Sequence, residues 1–125
     1  MNFPDNIKYT REHEWIKIKG AEAIVGITEF ATNELGDIVF IEIETVGESL
    51  NKGEAFGTVE AVKTVSDLFM PVSGEVSSVN PKLESNPEIV NKDPYGEGWL
   101  IKIKIRDLSE LDELLIADDY KAMIE

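Results

Sequence analysis

The sequence predicts a mainly β fold, a small sandwich or flattened barrel. Three observations carry this reading. Apolar and polar residues alternate in many short runs, turn residues punctuate those runs at regular spacing, and few stretches show a helical period. Apolar residues make up 42% of the chain and no stretch is of low complexity, so a packed core is expected.

Asn2 to Lys8 reads as an irregular arm, because Pro4 opposes a helix. Tyr9 to His13 leads into a strand, Glu14 to Lys19, with Ile16 and Ile18 on one face and the lysines on the other. Gly20-Ala21 is a plausible two-residue turn, and Ala23 to Ile27 returns as the partner strand. Thr28 to Gly36 predicts a short helix near 28–35. Thr28 suits the N-cap, Glu29 the positive end of the dipole and Gly36 the C-terminal cap, with Phe30 and Leu35 facing the sheet. Asp37 to Glu44 predicts a strand in which Val39, Ile41 and Ile43 alternate with Phe40, Glu42 and Glu44. Val46 to Glu54 holds a brief strand and a turn at Asn51 to Gly53.

Gly57 to Met70 then reads as a hairpin. Gly57, Val59 and Ala61 alternate with Thr58 and Glu60, and Val65, Asp67 and Phe69 alternate with Ser66, Leu68 and Met70. Lys63 sits at the bend. Gly74 to Pro81 is a further strand, and Gly47-Glu48-Ser49-Leu50 faintly echoes Gly74-Glu75-Val76-Ser77, as two quasi-equivalent halves would. Lys82 to Gly98 is loop-rich, with Leu83, Ile89, Val90 and Tyr95 as apolar anchors. Trp99 to Ile105 is the clearest strand, with Trp99, Ile101, Ile103 and Ile105 inward and Lys102 and Lys104 outward. The period then becomes helical. Ser109 to Leu115 is predicted as a helix with Ser109 as N-cap, and Asp118 to Glu125 as a second, with Tyr120, Met123 and Ile124 on its apolar side. Both are expected to cover the outside of the sheets.

The 125 residues carry 25 Asp and Glu against 12 Lys and Arg, net −13. Neutralising phosphates needs a basic face, so no nucleic-acid partner is expected, and anionic membranes are disfavoured. No cysteine is present, which excludes thiol nucleophiles, disulfides and Cys metal sites, and the single histidine, His13, gives little support to a His-rich metal centre or a triad. No run has the length of a membrane span, and Met1 to Asp5 lacks the features of a secretory signal, so the cytoplasm is the expected location. Glu12 and Glu14 could share one face of a strand, with His13 pointing away.

What is left as a functional handle is Lys63, an amine on a turn. A turn lysine is most often only that. Gly53, ten residues before it, and Gly74, eleven after it, frame the tip as a hairpin held out by a scaffold. The residues therefore favour a carrier over an enzyme, and with no thiol in the chain, thiol chemistry would arrive as a prosthetic group amide-linked to Lys63.

The segment Glu60-Ala61-Val62-Lys63-Thr64, followed by Pro71-Val72-Ser73-Gly74-Glu75-Val76, resembles the attachment segment of the biotinyl and lipoyl carrier superfamily. His13-Glu14-Trp15, Val25-Gly26-Ile27-Thr28, Leu35-Gly36-Asp37-Ile38-Val39-Phe40, Pro94-Tyr95 with Gly98-Trp99, and the acidic C-terminal helices narrow the resemblance to the H-protein family of the glycine cleavage system, from about Tyr9 to about Glu125. The resemblance implies a barrel-sandwich hybrid, a flattened barrel of two small sheets. It implies one lipoyl-carrier domain over residues 1–125 with a C-terminal helical extension. It implies lipoate joined by an amide to Lys63, with Glu60 and Val62 flanking, on a protein that is not itself catalytic and is expected to be a monomer. The implied partners are the glycine decarboxylase P protein, which loads an aminomethyl group, the aminomethyltransferase T protein, which takes the one-carbon unit, and the dihydrolipoyl dehydrogenase L protein, which reoxidises the dithiol. Lipoylating enzymes are implied as well. By position Glu14 and Asp67 match family residues near the cleft that holds the loaded arm, with Glu12 and Ser66 as further candidates.

Many members of that family have Glu-Ser-Val-Lys-Ala where this chain has Glu60-Ala61-Val62-Lys63-Thr64, and Phe30 stands where histidine is common. Ala61 leans toward the biotinyl pattern, while Val62 and the flanking motifs favour lipoate. Alternatives are an H-like lipoyl donor in lipoate distribution, a biotin carrier domain of a carboxylase, and an unmodified β domain that only binds partners.

Overall fold

The computed structural model describes residues 1–125. In chain order the strands are β1 (Lys8–Tyr9), β2 (Glu14–Lys19), β3 (Glu22–Ile27), β4 (Ile38–Glu42), β5 (Ser49–Leu50), β6 (Ala55–Ala61), β7 (Val65–Phe69), β8 (Gly74–Val79) and β9 (Ile101–Ile105). The helices are α1 (Glu29–Leu35), α2 (Lys82–Ser85), α3 (Ile89–Lys92) and α4 (Ala117–Ile124), with a 3₁₀ turn at Leu108–Glu113. The fold is mainly β, as expected. One antiparallel sheet runs β1-β2-β3-β9-β8-β5 and the other β4-β6-β7, and the two do not close into a continuous barrel.

Both sheets feed one core. Ile16, Val25 and Ile103 from the larger sheet and Ile41, Val59 and Leu68 from the smaller belong to a single cluster of 19 buried residues. A second cluster lies on the outer face, where Tyr9 and Trp15 meet Ala117 and Tyr120 of α4. The rings of Tyr9 and Tyr120 stack with centroids 4.7 Å apart. The C-terminal helix thus covers the outside of the sheet, as its apolar stripe predicts.

The echo between Gly47–Leu50 and Gly74–Ser77 has a spatial counterpart. These segments are neighbours, Ser49 opposite Glu75 and Leu50 opposite Gly74, with Gly47 N–H donating to Val76 O at 2.7 Å and Val76 N–H to Glu48 O at 3.0 Å. The helix at 28–35 also forms as expected. Thr28 Oγ1 accepts from Ala31 N–H at 3.2 Å, and Gly36 ends the helix with φ 80° and ψ −154°.

Five expectations need correction. Tyr9 belongs to a short strand, not to a lead-in, because the edge of β2 is free to pair with it and Leu115 bridges it from the other side. The strand at 37–44 does not alternate as expected. Its register slips between Ile38 and Phe40, leaving Val39 as an extra residue, so Val39 and Phe40 are 48% and 51% exposed while Ile38 and Ile41 are buried. The stretch 82–98 contains α2 and α3, each too short to show a period. At 108–113 the cap is Asp107, whose side chain accepts from Ser109 N–H at 3.0 Å, and the turn is 3₁₀. Ser109 is itself a donor to that carboxylate, its hydroxyl reaching Asp107 Oδ1 at 2.6 Å, so its oxygen does not act as the cap. Phe30 also differs. It lies against the His13 ring, centroids 4.7 Å apart, and only Leu35 of the pair packs on the main core.

Candidate carrier site at the β6–β7 tip

The hairpin forms as its alternation predicts. Val59 and Ala61 on β6 and Leu68 on β7 point into the core, as does Met70 just beyond β7, and Glu60, Val65 and Ser66 are exposed near the tip. Val62 and Lys63 make the whole loop, closed by Ala61 N–H donating to Thr64 O at 2.8 Å. A second bond pins it sideways. Val62 N–H donates to Asp37 O at 3.0 Å, tying the tip to the entry of β4. Lys63 itself is exposed, and its ammonium enters no hydrogen bond or ion pair within the chain.

Beside Lys63 lies a cavity of about 320 Å³ lined by Asn33, Glu34, Leu35, Gly36, Asp37 and Val62. It exists because Gly36 turns the chain abruptly out of α1, bringing the helix end to the tip. Glu34 and Asp37 share the lining of this cavity with Lys63. Residue patterns did not single these out as site residues, although Leu35-Gly36-Asp37 stands in the motif that carried the family resemblance.

Glu14 lies at the other end of β7. It is 3% exposed. Its Oε1 accepts from the Thr10 hydroxyl at 2.8 Å, and its Oε2 accepts from Phe69 N–H at 3.4 Å, so the side chain links the larger sheet to the smaller. Burial pushes its carboxyl up to about 8, and the hydrogen bonds from Thr10 and Phe69 only partly offset that push. Phe69 is six residues from Lys63, a strand rise of roughly 20 Å.

Asp67 is exposed, opposite Thr58, two residues nearer the tip than Phe69. Ser66 is exposed on the alternate face, opposite Val59. Glu12 does not share a strand face with Glu14. His13 has φ 71°, which reverses the chain before β2 begins, and Glu12 lines a separate depression with Thr10, Lys52, Pro71 and Glu113. Glu14, on β2, thus reaches the far end of β7 through Phe69, Asp67 and Ser66 lie on β7 itself with their side chains on opposite faces, and Glu12 stands apart in its own depression.

His13 is a structural group. Its Nδ1 is 2.8 Å from the Tyr120 hydroxyl, which is 2.8 Å from Thr28 Oγ1, the cap of α1. Burial lowers the imidazole pKa.

A family model described as "Glycine cleavage H-protein" matches residues 7–125. The chain is 63% identical to the glycine cleavage system H protein of Bacteroides fragilis over 124 residues, 99% of this chain and 98% of that one. It is 61% identical to that of Bacteroides thetaiotaomicron with the same coverage. A crystal structure of a glycine cleavage system H protein from Mycobacterium marinum matches with a TM-score of 0.84 at 39% identity, covering 97% of this chain and 98% of that chain.

Proposed function

The chain belongs to the glycine cleavage H-protein family, and from that premise we propose that it is the lipoyl-lysine carrier of the glycine cleavage system, modified at Lys63. The observation that supports this most directly is the pinned two-residue tip, which presents a free lysine amine. The residues around it suit the group. The amine is open to acylation, Glu60 and Val62 flank it without covering it, and the adjoining cavity gives an apolar arm a wall to rest on.

When bound, the dithiolane supplies the sulfur pair that the chain's own side chains lack. As carrier, the chain delivers an aminomethyl group from the P protein to the T protein and electrons to the L protein, and takes its cofactor from lipoylating enzymes. It does this as one domain over residues 1–125, as a monomer without catalytic groups, in the cytoplasm. No helix is long and apolar enough to cross a membrane.

Glu14 and Asp67, with Glu12 and Ser66 at the margins, are proposed to hold the loaded arm. Glu14 is suited to a cationic cargo in a particular way. Its carboxyl is held up near 8 by burial, and an ammonium beside it would draw that value down, so the carboxylate forms when there is a charge to meet it. Asp67, exposed on β7 two residues nearer the tip than Phe69, meets the arm on its way in.

Intact mass after incubation with lipoate, ATP and a lipoylating enzyme tests the core of this reading. A lipoyl increment on Lys63, absent in Lys63→Ala, is expected; a biotinyl increment or none sinks it. A glycine–bicarbonate exchange assay with P protein then tests the role in glycine cleavage.

A further inference from the structure

β4 is an edge strand, paired only with β6. The start of its free edge is closed by Asn91, which donates Nδ2–H to Gly36 O at 2.8 Å and accepts Ile38 N–H at 2.9 Å. From Phe40 to Glu44 nothing pairs with it. There the edge borders a groove of about 320 Å³ against the end of β8 and α2. The floor is apolar, with Ile41 and Leu83 buried and Ile43 and Val79 half-buried. The rim is acidic. Glu42, Glu44 and Glu84 are exposed and join no ion pair, and the nearby cation, Lys82, is engaged by Glu97. Phe40 stands at the mouth, turned outward by the bulge.

We propose that this groove is where the enzyme that acylates Lys63 docks, seating an extended segment with an apolar side chain flanked by basic residues. The proposal rests on the carrier reading above. Position selects this occupant. Phe40 lies opposite Glu60, three residues before Lys63 and roughly 10 Å of strand rise from it. To form the amide, the deprotonated Nζ attacks the carbonyl of an acyl adenylate; the C–N bond forms, the bond from the carbonyl carbon to the phosphate oxygen breaks, AMP leaves with the electron pair, and Nζ gives up one proton to solvent. The enzyme's active centre must therefore reach the tip itself. Because the tip is tied to Asp37 at the entry of β4, an enzyme body that reaches it lies against the β4 edge. An enzyme that handles only the end of a finished arm stands off by the arm's length. Charge selects the flanking residues, since three unpaired carboxylates around an apolar floor favour a basic rim on the partner. The free strand edge offers main-chain groups to an extended segment.

The test uses the full chain with Lys63 unmodified and a purified lipoate–protein ligase with lipoate and ATP. Phe40→Ala should raise the KM for the acceptor chain roughly ten-fold with kcat little changed, as truncating an interface anchor does. Glu42→Lys combined with Glu84→Lys should do likewise and flatten the salt dependence of kcat/KM. Leu108→Ala, an exposed apolar residue outside the groove, should change neither. Binding of the Lys63→Ala chain to the ligase, read by calorimetry without any chemistry, should weaken in the same order when Phe40→Ala or the double Glu→Lys change is added. Normal acylation with unmoved KM in the groove variants overturns this proposal alone. No acylation of the wild-type chain sinks the carrier reading and this with it. A dimer dissolved by Phe40→Ala would assign the groove to a second copy and overturn it too.

Discussion

Gly26 lies flat under the indole of Trp15. The two face each other across β2 and β3, and a Cβ at Gly26 would come within 2.6 Å of three ring atoms. The indole cannot retreat, because Nε1 donates to Pro94 O at 2.9 Å in a buried bond. Gly26→Ala should therefore cost about 2 kcal/mol by overpacking. A lowered denaturant midpoint with an unchanged m-value, together with altered tryptophan fluorescence, would be the result; an unmoved midpoint would contradict it.

Glu14 should leave a mark on the pH dependence of stability. Its carboxyl titrates near 4.5 when unfolded and near 8 when folded, so between those values the folded chain holds a proton the unfolded chain has lost. Stability from this group is complete below the lower value and is lost as pH rises through the upper. The slope approaches about 1.4 kcal/mol per pH unit for one proton. His13, lowered by burial, acts oppositely, losing stability as pH falls below its ordinary value. Chemical denaturation between pH 6.5 and 8 therefore isolates Glu14. Wild type should weaken across that range, and Glu14→Gln should be flatter. Parallel curves would show that Glu14 does not hold its proton.

Tyr120 joins three elements through one hydroxyl. Tyr120→Phe keeps the ring stack on Tyr9 and removes the contacts to His13 Nδ1 and Thr28 Oγ1. A loss of about 1–2 kcal/mol is expected, because buried partners are left unmet. Amide exchange should quicken at Ala31, whose N–H is capped by Thr28. If exchange stays slow there, the network does not support the cap.

Gly36 holds a backbone conformation, φ 80° with ψ −154°, that is essentially restricted to glycine. Gly36→Ala should cost about 1–3 kcal/mol. Its local signature should be faster exchange at Val62, since the strained junction carries Asp37 O, the acceptor for Val62 N–H. A cost without that signature would separate the helix end from the tip.

Much of this was legible because period two is a strong signal wherever one face is buried. The hairpin around Lys63, the β2–β3 pair and the capped α1 follow from alternation and cap residues. The bulge at Val39 does not, since register is decided by the partner strand β6 and not by the residues of β4. Glu14 is instructive. It shares parity with Ile16 and Ile18, so its inward direction could be read from the sequence, but not its contact with Phe69, which needs the second sheet. Trp15 has the opposite parity and is buried too, because α4 covers the outer face. The cavity beside Lys63 was hidden for a similar reason. It arises where α1 and the tip meet, about thirty positions apart in sequence.

The bond from Val62 N–H to Asp37 O also sets how a tethered group samples space. With the backbone of the tip tied down, the volume open to an arm on Lys63 is bounded by the arm's own length, with less added by loop motion. Effective concentration at a docked partner then depends on where that partner's opening falls relative to a stationary point. If the chain serves several enzymes, as proposed above, it meets them with the same local concentration only if each places its entrance at a similar distance from residue 63, so one tied turn becomes a geometric specification for each of them.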